Sequence, residues 1–455
     1  MLLIHFAYFK VCKTSHKSSL NITKKRIIVK YKANYYQITP LFITNFRIFA
    51  KFSFFAFKIL QDYDIILAGE KMKNFETIIL GGGASACICA ITLGQKGKRI
   101  LVIDDHSKPA KKILATGNGR CNLTNINVNS GCYNQNIDEF FRKFNQFDTI
   151  KFFSSLGLET YSDDEGRVYP LSNSAKSVVD VISNAFEKFN ISFSGEEKVL
   201  LVTKQDKQFI VKTDKNEYSC KKLVLALGGN SIQKIENNFK LSPSPCQPSL
   251  VAIKTQSTKL LSGVRHSPAK AQLKLGNEVL SQNGEILFKD SGLSGIAIFN
   301  LSAYLARKGW KGGEIEIDLL PNLSKEELKK LLTQRKSLNL PIPKFFDGLF
   351  VKELGYEILN RVKINENRTC DKLSDNEIDQ LCAVIKSMTF AVKGCYDNNQ
   401  VYSGGVKLGD LTENLESKKV KNLFLCGEVC DVDGLCGGYN LQWAWTSGKI
   451  VGDAL

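Results

Sequence analysis

The chain has 455 residues, 43% apolar and 24% charged, with 62 Lys and Arg against 45 Asp and Glu, the balance of a globular chain rather than a fibrous or disordered one. That length predicts two or three domains, and no apolar run reaches the roughly 18 residues of a membrane span, because Arg47, Lys51 and Lys58 interrupt the Phe-rich stretch near 42–60. The net charge of +17 is unevenly spread: residues 1–71 hold 12 Lys or Arg and 3 acids, which leaves +8 for the other 384 residues and argues against a nucleic-acid partner.

Residues 1–71 are rich in Phe, Lys, Ile, Asn and Tyr and show neither sustained helical periodicity nor a strand-and-turn rhythm. Met72 is the only other Met before Met388, and Gly69-Glu70-Lys71 can be encoded by a purine-rich ribosome-binding sequence. Translation is therefore expected to start at Met72, with residues 1–71 as upstream DNA read as protein or a leader without fixed structure. An organelle transit peptide and a basic membrane-surface anchor are the competing readings.

Thr77-Ile-Ile-Leu80 is a short apolar run of the kind that forms a buried parallel strand. It runs into Gly81-Gly82-Gly83-Ala84-Ser85-Ala86, an apolar helical stretch to Leu93, a turn at Gly97 and a second strand Arg99–Ile103 that ends at Asp104. The spacing Gly81-x-Gly83-x-x-Ala86 matches G-x-G-x-x-G/A: Gly81 permits the tight turn, Gly83 lets backbone approach a pyrophosphate, and Ala86 permits close helix–strand packing. The helix N-terminus then faces phosphate, and Asp104 stands where an acid accepts from ribose hydroxyls. The motif alone leaves NAD and FAD open.

Val199–Val202, Phe209–Lys212 and Glu217–Lys221 alternate as a small meander, followed by a buried strand Leu223–Leu227 and Gly228-Gly229. Residues 245–345 read as short strands with turns at Gly276-Asn277 and Asn283-Gly284. Ser324 reads as an N-cap, and Lys325–Ser387 as mostly helical. Leu423–Cys426 is a further buried strand ending in Gly427-Glu428, and Gly437-Gly438-Tyr439-Asn440 leads into a helix. A chain that returns at its end to the sheet begun near its start suits a cofactor spanning two crevices, which favours FAD. Glu428 is then placed for ribityl hydroxyls and the final helix N-terminus for negative charge on the reduced flavin.

Twelve of the thirteen Cys follow Met72, in a chain too large to need a disulfide framework, so reduced thiols and a cytoplasmic location are expected. Cys87-Ile-Cys89 and the trio Cys426, Cys430, Cys436 lack paired C-x-x-C spacing, and only His106 and His266 follow Met72. No metal centre and no Ser-His-Asp triad are expected.

Together, Gly81–Ala86, Ala115-Thr-Gly-Asn-Gly-Arg-Cys-Asn-Leu-Thr-Asn125, Gly166-Arg-Val-Tyr-Pro170, Gly292-Leu-Ser-Gly295, Ser403-Gly-Gly-Val406, Gly427-Glu-Val-Cys-Asp-Val-Asp-Gly434 and Gly437-Gly-Tyr-Asn-Leu-Gln-Trp443 resemble the BaiN/YhiN-type flavoprotein family. Its members are described as NAD(P)/FAD-dependent oxidoreductases, aminoacetone-oxidase-like enzymes and bile-acid-reductase-like proteins. The resemblance implies an α/β chain: a Rossmann-like FAD-binding domain (72–244 and 388–455) with an inserted β-rich domain (245–324) and a small helical domain (325–387). It implies FAD contacts from Gly81, Gly83, Ala84, Ser85, Ala86, Asp104, Lys112, Arg120, Asn122, Val199, Gly427, Glu428, Gly438, Asn440 and Leu441. Ala86, Leu227 and Ile296 depart from the family's usual Gly, Thr and Pro.

The implied chemistry is hydride transfer between NAD(P)H, or an organic donor, and a small-molecule acceptor. The loop around Arg120, Cys121 and Asn122 lies beside the isoalloxazine in such folds. Arg120 either neutralises reduced flavin, clamps a carboxylate or carbonyl, or binds pyrophosphate. Arg167 has the same alternatives, with a structural salt bridge beside them. Tyr439 is the candidate proton donor, while Asp431 and Asp433 are expected to shape their turn. Cys121 raises a second reading, thiol–disulfide exchange, but the residue five positions on is Ile126 rather than Cys. A third is a non-catalytic FAD-binding partner in RNA modification. No second G-x-G-x-x-G follows, so NAD(P)H is expected to dock at the flavin face. N-terminal sequencing of the native protein is expected to read from Met72, and a chain that starts well before it overturns that expectation.

Overall fold

The computed structural model describes residues 72–229, 239, 241–256, 259–396 and 401–455, with three short strands at Asn21–Thr23, Arg26–Tyr31 and Asn34–Gln37. Two units are compact by themselves, Met1–Lys71 and Met72–Leu455. In the first, the three strands pair antiparallel, Ile22 opposite Ile27 and Val29 opposite Tyr36. The expectation of no strand rhythm is thus corrected at these residues, where Ile, Val and Tyr suit a pleated surface. The remainder of that segment lies outside the described residues.

The second unit begins with β1 (Lys73–Leu80), α1 (Ala84–Gln95) and β2 (Ile100–Ile103), the expected βαβ unit. A helix α2 (Ala175–Lys188) leads to β3 (Ser192–Ser194), and the meander is β4 (Val199–Gln205), β5 (Gln208–Thr213) and β6 (Glu217–Leu225). After a long insertion the chain returns as β7 (Leu423–Leu425) and α3 (Tyr439–Ala454). The strands make one sheet in the order β4-β5-β6-β1-β2-β3, with β7 alongside β6. β6 serves two neighbours on one edge: its first half pairs antiparallel with β5 (Phe209 opposite Cys220), and its second half runs parallel to β7 (Leu223 beside Leu423). Ile78, Ile79 and Leu80 are fully buried, as an apolar run covered on both faces requires.

The two separated segments are locked by helix packing. A Cβ on Gly448 of α3 would lie 2.3 Å from the Ser85 carbonyl oxygen and 2.4 Å from Ile88, and one on Gly452 would lie 2.7 Å from Thr92. α3 therefore meets α1 backbone to backbone. Lys96 Nζ donates to the Gly452 and Asp453 carbonyls, both at 2.8 Å, and Lys222 Nζ to the Leu455 carbonyl at 2.9 Å, so cations sit at the negative end of α3.

Residues between β6 and β7 build a seven-stranded sheet in the order 388–391, 314–318, 265–275, 278–289, 292–294, 253–254, 394–395, antiparallel throughout. The helix Ile296–Arg307 and the helices Lys325–Arg335, Lys352–Val362 and Asp375–Lys386 pack into one core with this sheet, separate from that around the β1–β7 sheet. The β-rich and helical parts thus share a single hydrophobic core. Met388–Ala391 pairs with Glu314–Asp318, so the expected domain boundary at 388 falls inside the inserted sheet. Ser324 caps its helix as expected, reciprocally with Glu327. Gly276-Asn277 joins a hairpin, but Asn283-Gly284 does not turn: the strand continues through it and a register shift opposite absorbs the irregularity. Among the described residues no helix is long and apolar enough to cross a membrane.

The close approach of α1 and α3 yields a stability test. In an open helix Gly→Ala gains up to about 1 kcal/mol. At Gly448 the added carbon overlaps backbone, so Gly448→Ala is expected to destabilise by about 1–3 kcal/mol in denaturant titration.

Candidate cofactor site

The site lies where β1, β2, β6 and β7 end together, the crevice position that parallel α/β sheets offer a ligand. Gly81 has φ +99°, and a Cβ there would stand 2.4 Å from the Ala226 carbonyl, so glycine is required both by conformation and by the approach of β6. Gly83 differs. Its backbone (φ −73°, ψ −174°) suits any residue, and nothing lies within 4 Å of where its Cβ would point. Space is kept beside it.

The first intrahelical bond of α1 runs from the Cys87 N–H to the Gly83 carbonyl, and no side chain caps the helix. The N–H groups of Ala84, Ser85 and Ala86 thus face out of the helix end, a ready anion site. The side chains of Ser85 and Ala86 do other things. Ser85 Oγ donates to the Cys426 carbonyl at 3.3 Å, which ties α1 to the end of β7, and Ala86 is fully buried against the sheet.

Asp104 closes the other side. Its Oδ2 accepts from the Gly82 N–H at 2.5 Å and its Oδ1 from the His106 N–H at 2.7 Å, with His106 Nδ1 at 2.8 Å. The carboxylate therefore fixes the glycine turn as well as facing the crevice. The sequence reading assigns His106 no role beside Asp104, although an Asp followed two residues later by a partner is a common local turn. The ligand-type atoms of Asp104, Asp105 and His106 lie within 4.8 Å of one another, the one such group among the described residues. Nearby, Glu197 is buried: desolvation raises its carboxyl pKa, but hydrogen bonds from Ser194, Thr213, Asn216 and Tyr218 outweigh that and hold it below the usual range. Val199 starts β4 next to it, partly buried against the core.

At the end of β7, Gly427 has φ +78° and its Cβ would strike Ser85 Oγ at 2.4 Å. Its N–H is held by Ser447 Oγ at 2.9 Å and its carbonyl by Trp443 Nε1 at 3.1 Å. The half-buried Glu428 accepts from the Gly229 N–H at 3.4 Å. Burial raises its carboxyl pKa, opposed by that N–H, by Lys112 and by the Tyr402 N–H.

α3 starts at Gly438 (φ +99°) without a side-chain cap, and its first intrahelical bond comes from Gln442, so the N–H groups of Tyr439, Asn440 and Leu441 face the crevice. The Asn440 side chain points elsewhere: it clamps the Gly434 N–H and carbonyl at 2.9 Å and reaches the Leu435 carbonyl. Its expected cofactor contact is thus available through backbone only. Asn122 Oδ1 lies 2.9 Å from the Cβ position of Gly438 and is buried without a hydrogen-bond partner among the described residues. An acceptor in that state calls for a donor from outside the protein.

The loop carrying Arg120 is strained: Asn118 and Cys121, neither of them glycine, have φ +54° and +59°. Arg120 is exposed and lies over the Tyr169 ring, 4.4 Å from its centroid, an aromatic partner that the sequence did not reveal. Cys121 turns into the core with its thiol pushed up to about 12 by burial, so a thiolate is not presented to the crevice. Arg167 pairs with Asp163 at 2.8 Å and with Glu165 at 2.5 Å, the structural salt bridge among its alternatives. The Tyr439 phenol is pushed up to about 12 by burial and by neighbouring Cys132 and Cys436. Lys108, Lys111 and Lys112 are exposed on the loop after Asp104.

These features fit FAD: two uncapped helix N-termini, an acid after β2 and another after β7, open space at Gly83 and an unpartnered acceptor at Asn122. The family model for the HI0933-like protein Rossmann domain matches residues 75–454. The 3-dehydro-bile acid delta(4,6)-reductase of Clostridium scindens is 32% identical over 83% of this chain and 98% of its own length. The ribosomal RNA dihydrouridine synthase of Escherichia coli is 31% identical over 83% and 96%. Among solved structures, an open conformation of a flavocytochrome c3 fumarate reductase aligns over 86% of this chain and 80% of that one, with 14% identity and a TM-score of 0.41.

Gly83 separates binding from folding. Gly83→Ala is expected to keep the thermal unfolding midpoint of the cofactor-free protein within about 2 °C, since the backbone tolerates a side chain. Its methyl fills the kept space, so FAD affinity measured by fluorescence titration is expected to fall at least about tenfold.

Proposed function

The chain belongs to the HI0933-like Rossmann-domain family of FAD-dependent oxidoreductases, and from that premise we propose that it reduces a ring carbon–carbon double bond conjugated to a carbonyl, with NAD(P)H as electron donor. The relatives support the acceptor class. One is named for reducing a 3-dehydro-bile acid and the other for making dihydrouridine in ribosomal RNA, and both names describe hydrogens added to an unsaturated ring.

The observation that carries the reading is the uncapped N-terminus of α3 beside the unpartnered Asn122 oxygen, which together offer donors for developing negative charge and an acceptor for an N–H or O–H. FAD, when bound, supplies two-electron hydride chemistry. The chain's own residues orient the acceptor and manage its proton. Arg120, pre-set by stacking on Tyr169 and by a 3.5 Å hydrogen bond from Nη2 to the Tyr169 hydroxyl, offers its remaining N–H groups to a carboxylate, phosphate or carbonyl of the acceptor. Tyr439, whose phenol keeps its proton at neutral pH, donates that proton to the carbon next to the acceptor carbonyl. Cys121, buried and with its thiol pushed up to about 12, has a packing role, which leaves thiol–disulfide exchange without a nucleophile at this loop.

On charge alone the sequence argued against nucleic acid. A relative of near-equal identity that is named for ribosomal RNA reopens that partner, and the exposed Lys108, Lys111, Lys112 and Arg120 supply phosphate-binding groups at the crevice mouth.

The test is anaerobic. The purified yellow protein is expected to bleach with NADH or NADPH and to regain colour with either a 3-oxo-Δ4 steroid or ribosomal RNA lacking dihydrouridine. Bleaching only by an amine overturns the proposal in favour of an oxidase. Tyr439→Phe is expected to slow the recolouring step about 100-fold and leave bleaching by NAD(P)H unchanged. With a phenol that titrates near about 12, the wild-type recolouring rate holds through pH ~10 on the alkaline side.

A further inference from the structure

The helix Ile296–Arg307 belongs to the inserted domain, where Ala297, Ile298, Leu301 and Leu305 are buried in its core. Two of its side chains leave that core for the other domain. Asn300 and Arg307 are seven residues apart, two helical turns, and so lie on one face. Asn300 Oδ1 accepts from the Cys436 N–H at 2.8 Å. Arg307 Nη1 pairs with Asp431 Oδ1 at 3.0 Å, and Nη2 pairs with Asp433.

Asp431 and Asp433 are 8% and 5% exposed, and among the described residues Arg307 is the only cation paired with either. Their remaining contacts are neutral and hold backbone: Asn134 Nδ2 donates to the Asp431 carbonyl at 3.1 Å with Gln135 beside it, and the Asp433 N–H goes to Asn134 Oδ1 at 3.0 Å. The turn holding both acids runs directly into Gly437-Gly438 and the uncapped start of α3. Two buried carboxylates near that helix end oppose its positive potential, and one guanidinium from the inserted domain cancels half of their charge.

We propose that Arg307 is a positioning residue through which the inserted domain sets how readily the bound flavin is reduced. It does so by compensating Asp431 and Asp433 beneath the N-terminus of α3, where Asn300 holds the same turn in place. This rests on the FAD-binding reading above. The coupling also runs in reverse: reduction of the cofactor strengthens the hold of the inserted helix on the turn, because binding free energies are reciprocal.

The test is the midpoint potential of the flavin in the holoprotein, measured by dye-linked titration. Arg307→Gln is expected to make it more negative, with the affinity ratio for reduced over oxidised FAD falling about tenfold. Arg307→Lys is expected to restore most of the potential, and Asp431→Asn/Asp433→Asn in the Arg307→Gln background to restore it without any ion pair. A residue that merely braces the fold lowers the unfolding midpoint but leaves the potential where it was, and that outcome overturns the proposal. So does failure of the neutralised triple variant to recover. If Arg307→Gln does not retain FAD, Arg307→Lys and the single Asp433→Asn variant bracket the wild-type potential from below and above, and equal potentials in all three overturn it. A wild-type protein that binds no flavin refutes the FAD reading instead.

Discussion

The whole assembly depends on the contact between α1 and α3. One helix follows the glycine turn after β1 and the other follows a seven-stranded insertion, yet Gly448 and Gly452 bring the second against Ser85, Ile88 and Thr92 of the first with no room for a methyl group. Ser85 then reaches the carbonyl of Cys426, and Gly427 is shaped to pass its hydroxyl. The phosphate-facing end of α1 and the flavin-facing end of α3 thus come from segments far apart in sequence and are held at one spacing by backbone contact. A cofactor long enough to touch both ends has to span that contact, which is why the helix pair rather than either glycine motif defines the crevice.

Around this pair the polar groups divide between fixing the fold and staying free. Asn440, Ser447, Trp443 Nε1 and the Asp104 carboxylate all have protein partners, whereas among the described residues nothing pairs with Asn122 Oδ1 and no side chain caps either helix start. Buried polar groups are nearly always satisfied, so an unpartnered Asn122 Oδ1 beside the start of α3 is a natural acceptor for a ligand. The electrostatics follow the same logic. Positive helix ends face inward, while Asp104 is held by backbone N–H groups and Asp431 and Asp433 share one arginine.

Much of this was legible from local pattern. Thr77–Leu80 with its glycine turn, Asp104, the meander and the buried strand at Leu423 are each short signals, and each holds as an element. The family resemblance built on them is borne out by the match over residues 75–454. What stayed hidden depends on distant neighbours. Tyr169 under Arg120, Arg307 on two acids more than a hundred residues away, and the burial of Cys121 leave no mark at sequence spacing. Asn283-Gly284 carries the composition of a turn and is overridden by pairing across the sheet, and the helical segment after Ser324 looked separate because its partners in the core are strands that flank it in sequence.

The double use of β6 carries a consequence for biosynthesis. Half of its outer edge is paired by β5 as soon as the meander forms, but the half that β7 covers must wait for the entire insertion to be made. A nascent chain therefore carries an open parallel edge while the inserted domain, with a core of its own, is already able to fold. Ribosomal output and cofactor capture are in this way sequential, and a chain stalled before β7 exposes a sticky seam that chaperones, not flavin, have to guard.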